Sequence, residues 1–455
     1  MNNILIHNGL LVNEGKIFKA SILIQGKKIK HIFQNTIPDD LINNSIIINA
    51  KGKYVLPGII DDQVHFRDPG LTHKADIYTE SKAAVAGGVT SFMDMPNTKP
   101  QTITNELLEK KYEIASKSAL SNYSFYFGAT NDNLNEILKV DPATNCGIKI
   151  FLGASTGNML VDNPVTLENI FSKTNLLIAV HCEDENIIQN NIRKFKDQYG
   201  ENVPIHLHPV IRDTEACYKS SSMAIQLAKK TKTRLHLLHL STEKETQLLE
   251  SNIPAADKLI TAEVCVHHLW FDDNDYNRLG TLIKWNPAIK TGKDKEALFS
   301  ALLTDKIDII ATDHAPHTLS EKQNTYFKAP SGGPFVQHSL VTMLEFYHKK
   351  TITLEKIVEK MCHTPAEIFR IKNRGFLREG FFADLAIVDL ENNWTVNKNN
   401  LLYKCKWSPL EGQTFKSKVV YTFVNGNLVY ENSNSNKNTG KFYEDHMGER
   451  LAFDR

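Results

Sequence analysis

A chain of 455 residues, 41% hydrophobic and 23% charged with a formal net charge of +1, has the make-up of an ordinary globular protein. That balance argues against partners recognised by bulk charge, such as nucleic acid or an anionic membrane. No apolar run reaches the ~20 residues of a membrane helix. Six cysteines (Cys146, Cys182, Cys217, Cys265, Cys362 and Cys405) are scattered without a CxxC pair. They point to reduced thiols in a cytosolic protein, not to a disulfide framework or a thiolate zinc site.

In chain order, MNNILIHNGLLV has no basic stretch ahead of its apolar run and reads as a strand, not a signal peptide. ILIHNGLLV, SILIQGKKIKHIF and SIIINAKGKYVLPG, punctuated by Gly and Asn, predict short strands over residues 1–56. The rhythm then changes. Eight apolar β-like runs follow at 59–66, 89–95, 123–129, 146–152, 176–182, 234–240, 259–265 and 307–313. Helical stretches such as NELLEKKYEIASKSAL (105–120) and SMAIQLAKKTK (222–232) separate them. Repeated strand–helix alternation predicts an α/β fold, a (β/α)8 TIM barrel over residues 57–370. Strands return in ADLAIVDL (383–390) and KVVYTFVNGNLVYE (418–431), where Asn425-Gly426 signals a tight hairpin. Residues 1–56 and 371–455 are therefore expected to pair into one small β-sandwich domain formed from both chain ends. ENSNSNKNTGK (431–441) has the composition of a mobile turn or loop.

Polar residues of metal-ligand type close these runs one after another. Gln63 and His65 end IIDDQVHF, Lys149 lies in CGIKIFL, His181 ends LLIAVHC, His239 ends RLHLLHL, and Asp313 ends IDIIATD. One histidine at a strand end is usually structural. Five such positions on different strands point to one metal centre at the C-terminal mouth of a barrel. Alternation along the first strand predicts Asp61, Gln63, His65 and Arg67 on one face. Gln63 is a weak neutral ligand where an imidazole would bind better, so it either weakens one metal site or stands behind it. Lys149, inward on an apolar strand, reads by itself as a buried lysine paired with a carboxylate; beside a metal cluster, desolvation would lower its basicity so that the neutral amine adds carbon dioxide and forms an anionic, bridging carbamate. Asp313 can take a proton from water held at the metals and return it to a leaving nitrogen. Glu263 and His267, in TAEVCVHH, either orient a ligand or are structural.

Together these motifs resemble the amidohydrolase superfamily and, within it, the dihydroorotases. PGIIDDQVHFRDPG is similar to the family's first-strand motif, AGGVTSFMDMPNT (86–98) to its Met-Pro-Asn-Thr segment, and IIATDHAPHTLSEK (309–322) to its Asp-His-Ala-Pro-His motif. GFLREGFFADLAIVD (375–389) is similar to the superfamily's return into the sandwich. The resemblance implies zinc, one or two ions per chain, held by His65, carboxylated Lys149, His181, His239 and Asp313. It implies substrate contacts from Arg67, Asn97, Asn286 and His317. It further implies a small-molecule substrate, (S)-dihydroorotate interconverting with N-carbamoyl-L-aspartate in de novo pyrimidine biosynthesis. A homo-oligomer, a dimer in the simplest case, and aspartate transcarbamoylase as a partner belong to the same expectation. The departure is Gln63, where the family has its first metal histidine. Two rival readings follow: an allantoinase or hydantoinase, which needs no carboxylate clamp, and a non-catalytic dihydroorotase-like subunit that scaffolds a partner.

Overall fold

A computed structural model describes residues 3–153, 159–432 and 440–455. All eight predicted barrel runs are strands: Ile59–Val64, Val89–Asp94, Asn122–Phe125 continuing as Phe127–Gly128, Ile148–Phe151, Ile178–His181, Leu235–Leu237, Ile260–Cys265 and Ile309–Ala311. Each pairs in parallel with the next. The ring closes between first and eighth strands, where Val64 bridges His314 and the His65 amide donates to the His314 carbonyl at 2.7 Å.

Side-chain alternation divides each strand between two environments. Ile148, Ile150, Ile178, Val180, Leu235 and Leu237 join helix residues such as Ile170, Phe171, Ala224 and Ala228 in the main core. The intervening Lys149, Ala179, His181 and His236 face the barrel interior. Below them an apolar plug that includes Ile60, Met93, Ile309 and Phe369 fills the interior. Several outer helices start on side-chain caps that satisfy their free amides. Asp76 caps Ile77–Ala86 with a full capping box, and Asp213 caps Thr214–Thr231.

The two chain ends share one nine-stranded sheet. Tyr54–Pro57 pairs antiparallel with Leu385–Asp389 and so joins the N-terminal strands to the C-terminal ones. The predicted hairpin turn is present: Asn425 and Gly426 both have positive φ, 50° and 76°. A Cβ at Gly426 would sit 2.1 Å from the Gly26 carbonyl oxygen, so only glycine fits there. Of the loop anticipated at 431–441, residues 433–439 lie outside the described residues. All six cysteines are free thiols, and among the described residues no helix is long and apolar enough to cross a membrane.

One buried ion pair fixes the mouth of the first strand. Lys111 Nζ lies 2.5 Å from Asp94 Oδ2, both side chains fully enclosed, and also donates to the Met95 carbonyl at 2.9 Å. The other oxygen of Asp94 accepts from the Phe66 amide at 2.7 Å, between His65 and Arg67. Removing the lysine strands a carboxylate in the core. Lys111→Met is expected to lower unfolding free energy by about 3–5 kcal/mol, read as a lower denaturant midpoint with unchanged slope. A loss below about 1 kcal/mol would mean that the pair is solvated or dispensable.

Candidate active site

A cavity of about 110 Å³ opens where the strands end, and nine of the predicted residues line it: Gln63, His65, Arg67, Asn97, Lys149, His181, His239, Asn286 and Asp313. Phe151, Ala315, Ser331 and Gly332 complete the wall. A second cavity of about 280 Å³, between barrel and sheet, is lined mainly by amides such as Asn392 and Asn400 and holds no cluster of ionisable groups. Three of the active-site residues, Arg67, His239 and Asp313, adopt left-handed backbone conformations with φ of 69°, 40° and 44°. Each lies just past its strand, where the chain turns sharply and aims the side chain back across the mouth. Such conformations cost energy and persist where the surroundings over-determine them.

The donor atoms fall into two groups. His181 Nδ1 and His239 Nε2 face each other at 3.0 Å. The far nitrogen of His181 is held by Glu183 Oε2 at 3.0 Å, and Glu183 is ion-paired with buried Arg212. Despite burial, Arg212 and His181 bring the Glu183 carboxyl down to about 2. Burial lowers His181 and, with the neighbouring His181 and Lys149, lowers His239 well below the usual imidazole range. Both rings are thus kept neutral, the form that ligates a metal. The second group is His65 Nε2 and Asp313 Oδ1, 3.1 Å apart. His65 is turned into place by Asn97 Oδ1, 2.8 Å from its Nδ1.

Lys149 reaches no hydrogen-bond or ion-pair partner among the described residues; its Nζ lies 4.5 Å from the centre of the Phe151 ring. Burial depresses it to about 7, with Glu263 and Asp313 opposing. An enclosed amine without a counter-ion, between two pairs of inward donors, suits divalent-ion chemistry better than a structural core lysine. The donor set of imidazoles, carboxylate and amine fits a hard-to-borderline cation.

Gln63 is turned away from a ligand role. Its Nε2 donates to Asp313 Oδ1 at 3.3 Å, and its Oε1 accepts from the Cys265 thiol at 3.7 Å. The expectation that Asp61 shares the mouth with Gln63, His65 and Arg67 is corrected. A register irregularity between Asp61 and Val64 breaks the alternation. Asp61 instead accepts from the Thr312 hydroxyl at 2.6 Å and from the Thr312 amide at 3.2 Å, bracing the residue before Asp313. His317 does not line the cavity. It stands behind Arg67, 3.0 Å from Nη2, with Lys74 at 2.9 Å on its other nitrogen. Arg67 is further fixed by donating Nε to the Pro316 carbonyl at 3.0 Å. Asn286 is held by the Ser331 hydroxyl at 2.9 Å. Glu263 Oε1 accepts from the His239 amide at 2.9 Å, an orienting contact, whereas His267 stacks on Trp285 at 4.3 Å and is not part of the cavity wall.

Sequence reading missed Glu183, Arg212, Phe151, Ser331 and Gly332. The pattern His181-Cys182-Glu183 could have indicated Glu183, because residues two apart on an extended segment share a face.

The Amidohydrolase family model matches residues 54–429. A dihydroorotase of Pyrococcus abyssi is 35% identical over 93% of this chain and 94% of its own length. One from Methanosphaera stadtmanae is 30% identical over 97% of this chain and 100% of its own. Among solved structures, the L-hydantoinase (dihydropyrimidinase) of Arthrobacter aurescens superposes with a TM-score of 0.92 at 27% identity, covering 99% of this chain and 100% of that one. A barrel whose mouth gathers buried imidazoles, a lysine and an aspartate, matched along nearly its whole length by such enzymes, belongs to the amidohydrolase family, in its cyclic-amide-hydrolysing branch.

Proposed function

We propose that the chain is a dihydroorotase, interconverting (S)-dihydroorotate and N-carbamoyl-L-aspartate. The observation that carries this reading is the buried, immobilised Arg67 guanidinium in the cavity wall, with Asn97 and Asn286 in the same wall. Dihydroorotate presents a single ring carboxylate, and a planar guanidinium fork is the natural partner for it. The relatives named dihydroorotase add support. A hydantoinase-type substrate is the second reading, favoured by the likeness to the Arthrobacter enzyme.

Zinc is the ion this donor set suits. Lys149, His181 and His239 would hold one ion, and His65 with Asp313 a second, more weakly held one because Gln63 offers it no imidazole. The Lys149 amine would add carbon dioxide, forming an N–C bond and releasing a proton, to give a carbamate whose oxygens would serve as metal ligands. Bound metal supplies Lewis acidity and an activated water. Arg67 would anchor the ring carboxylate and so set which ring carbonyl faces His65, His181, His239 and Asp313. Asp313 receives the proton of the attacking water. It returns that proton to the ring nitrogen as the ring C–N bond breaks. In the synthetic direction Asp313 removes the proton from the carbamoyl nitrogen, and the ring closes with loss of water. The purified chain is expected to do this alone; aspartate transcarbamoylase association would be additional to activity.

Arg67→Met should cost about 1.5–3 kcal/mol of carboxylate binding, seen as a loss of about one to two decades in turnover of dihydroorotate. Metal content should hold, and hydrolysis of the carboxylate-free dihydrouracil, where measurable, should change far less. Equal losses on both substrates would assign Arg67 to the fold instead. Lys149→Ala should lose both metal and activity, with partial recovery of both in added short carboxylic acids; full metal and turnover would leave Lys149 a plain buried lysine. Gln63→His should raise the metal retained per chain after mild chelation, and no gain would remove Gln63 as the weak point of the second site.

A further inference from the structure

Beneath the catalytic layer lies a second polar cluster that the mechanism does not use. Asp62, His236 and Glu263 are each wholly enclosed, and one ligand-type atom from each lies within 4.8 Å of the others. His236 Nε2 is 3.3 Å from Asp62 Oδ2 and 3.4 Å from Glu263 Oε2. Among the described residues, that long contact to His236 is all that either oxygen of Asp62 receives. An ionised carboxylate in that state is costly unless a cation meets it.

The tautomer of His236 follows from its other side. Thr261 donates its hydroxyl to the Leu235 carbonyl at 3.3 Å. That hydroxyl can therefore only accept from His236 Nδ1, 2.8 Å away. Nδ1 carries a hydrogen, so Nε2 is the atom turned to the two carboxylate oxygens; without an ion, despite burial, Asp62 and Glu263 hold the ring's charged form and raise it to about 9. A divalent ion would take the place of the Nε2 proton between them. Outer hydrogen bonds of this kind orient metal-binding histidines. A tetrahedral ion with bonds of about 2.0–2.1 Å has ligand–ligand edges of roughly 3.3–3.4 Å, which the two distances above match. Two carboxylates and one divalent ion also leave the buried cluster neutral.

We propose that Asp62, Nε2 of His236 and Glu263 form a separate binding site for a divalent transition-metal ion, zinc by its donor set, one layer below the catalytic mouth. Its part is structural: Glu263 spans from this ion to the His239 amide, so the lower ion fixes the backbone that presents His239. The site places a carboxylate at position 62 directly beside the position where Gln63 withholds an imidazole.

The test is direct. The full chain is loaded with zinc ion at a few equivalents, freed of excess, and crystallised, and anomalous difference maps are recorded on both sides of the zinc edge. A zinc peak enclosed by Asp62, His236 and Glu263 is expected. Metal analysis of Asp62→Asn and His236→Gln should show one zinc fewer per chain than the parent, with the peaks at the mouth retained. Absence of the lower peak in the parent would overturn the proposal and leave His236 as an imidazolium between two carboxylates. That map decides the matter even if both variants fail to fold. Variants that fold and keep the parent's zinc content would overturn it equally.

Discussion

The active site depends on how the barrel closes. The first and eighth strands meet through the Val64–His314 bridge and the 2.7 Å bond from the His65 amide to the His314 carbonyl. That contact brings residues some 250 positions apart in sequence into one site: His65 beside Asp313 at 3.1 Å, Gln63 beside Asp313 at 3.3 Å, and Arg67 against Pro316 and His317. Asp61 reinforces the seam by holding both the amide and the hydroxyl of Thr312. Buried Asp94, neutralised by Lys111, pins the Phe66 amide from the opposite side. Asp313 and Arg67 therefore share one set of supports. A shift at the seam would disturb both.

The second constraint is charge. A parallel barrel directs all its strand C-termini to one end, and here buried ionisable side chains accumulate there. Some are matched within the protein, as Glu183 is by Arg212. Others have their charged forms disfavoured by burial, as His181, His239 and Lys149 do. An amine and imidazoles whose charged forms are disfavoured, turned into one cavity, are costly to a stable interior and useful to a cation. The protein thus keeps in the mouth what a metal needs and satisfies the outer side of that layer, through Asn97 on His65, Glu183 on His181 and Glu263 on the His239 backbone.

Much of this was legible in the sequence, for identifiable reasons. Barrel strands buried on both faces read as short apolar runs, so all eight appeared with their closing residues. The Asn425-Gly426 hairpin was visible because its backbone admits few residue types. Other features were hidden because they depend on registers and distances that no local pattern encodes. The irregularity between Asp61 and Val64 turned Asp61 to Thr312 and left Asp62 inside the barrel with His236 and Glu263, which come from two other strands. His317 lies in the right motif yet stands behind Arg67, because the chain after Asp313 passes beneath the guanidinium. Arg212 reaches Glu183 from a helical turn 29 residues away, a pairing without a sequence signature.

The central claim is that this mouth hydrolyses a cyclic amide bearing a carboxylate. The most direct measurement compares the zinc-loaded, purified chain on dihydroorotate, hydantoin, dihydrouracil and allantoin, and in the reverse direction on N-carbamoyl-L-aspartate. The account predicts turnover of dihydroorotate well above that of the three carboxylate-free rings, with ring closure of N-carbamoyl-L-aspartate by the same preparation. Efficient hydrolysis of hydantoin or allantoin with none of dihydroorotate, or no turnover of any of them by a fully metal-loaded chain, would contradict it.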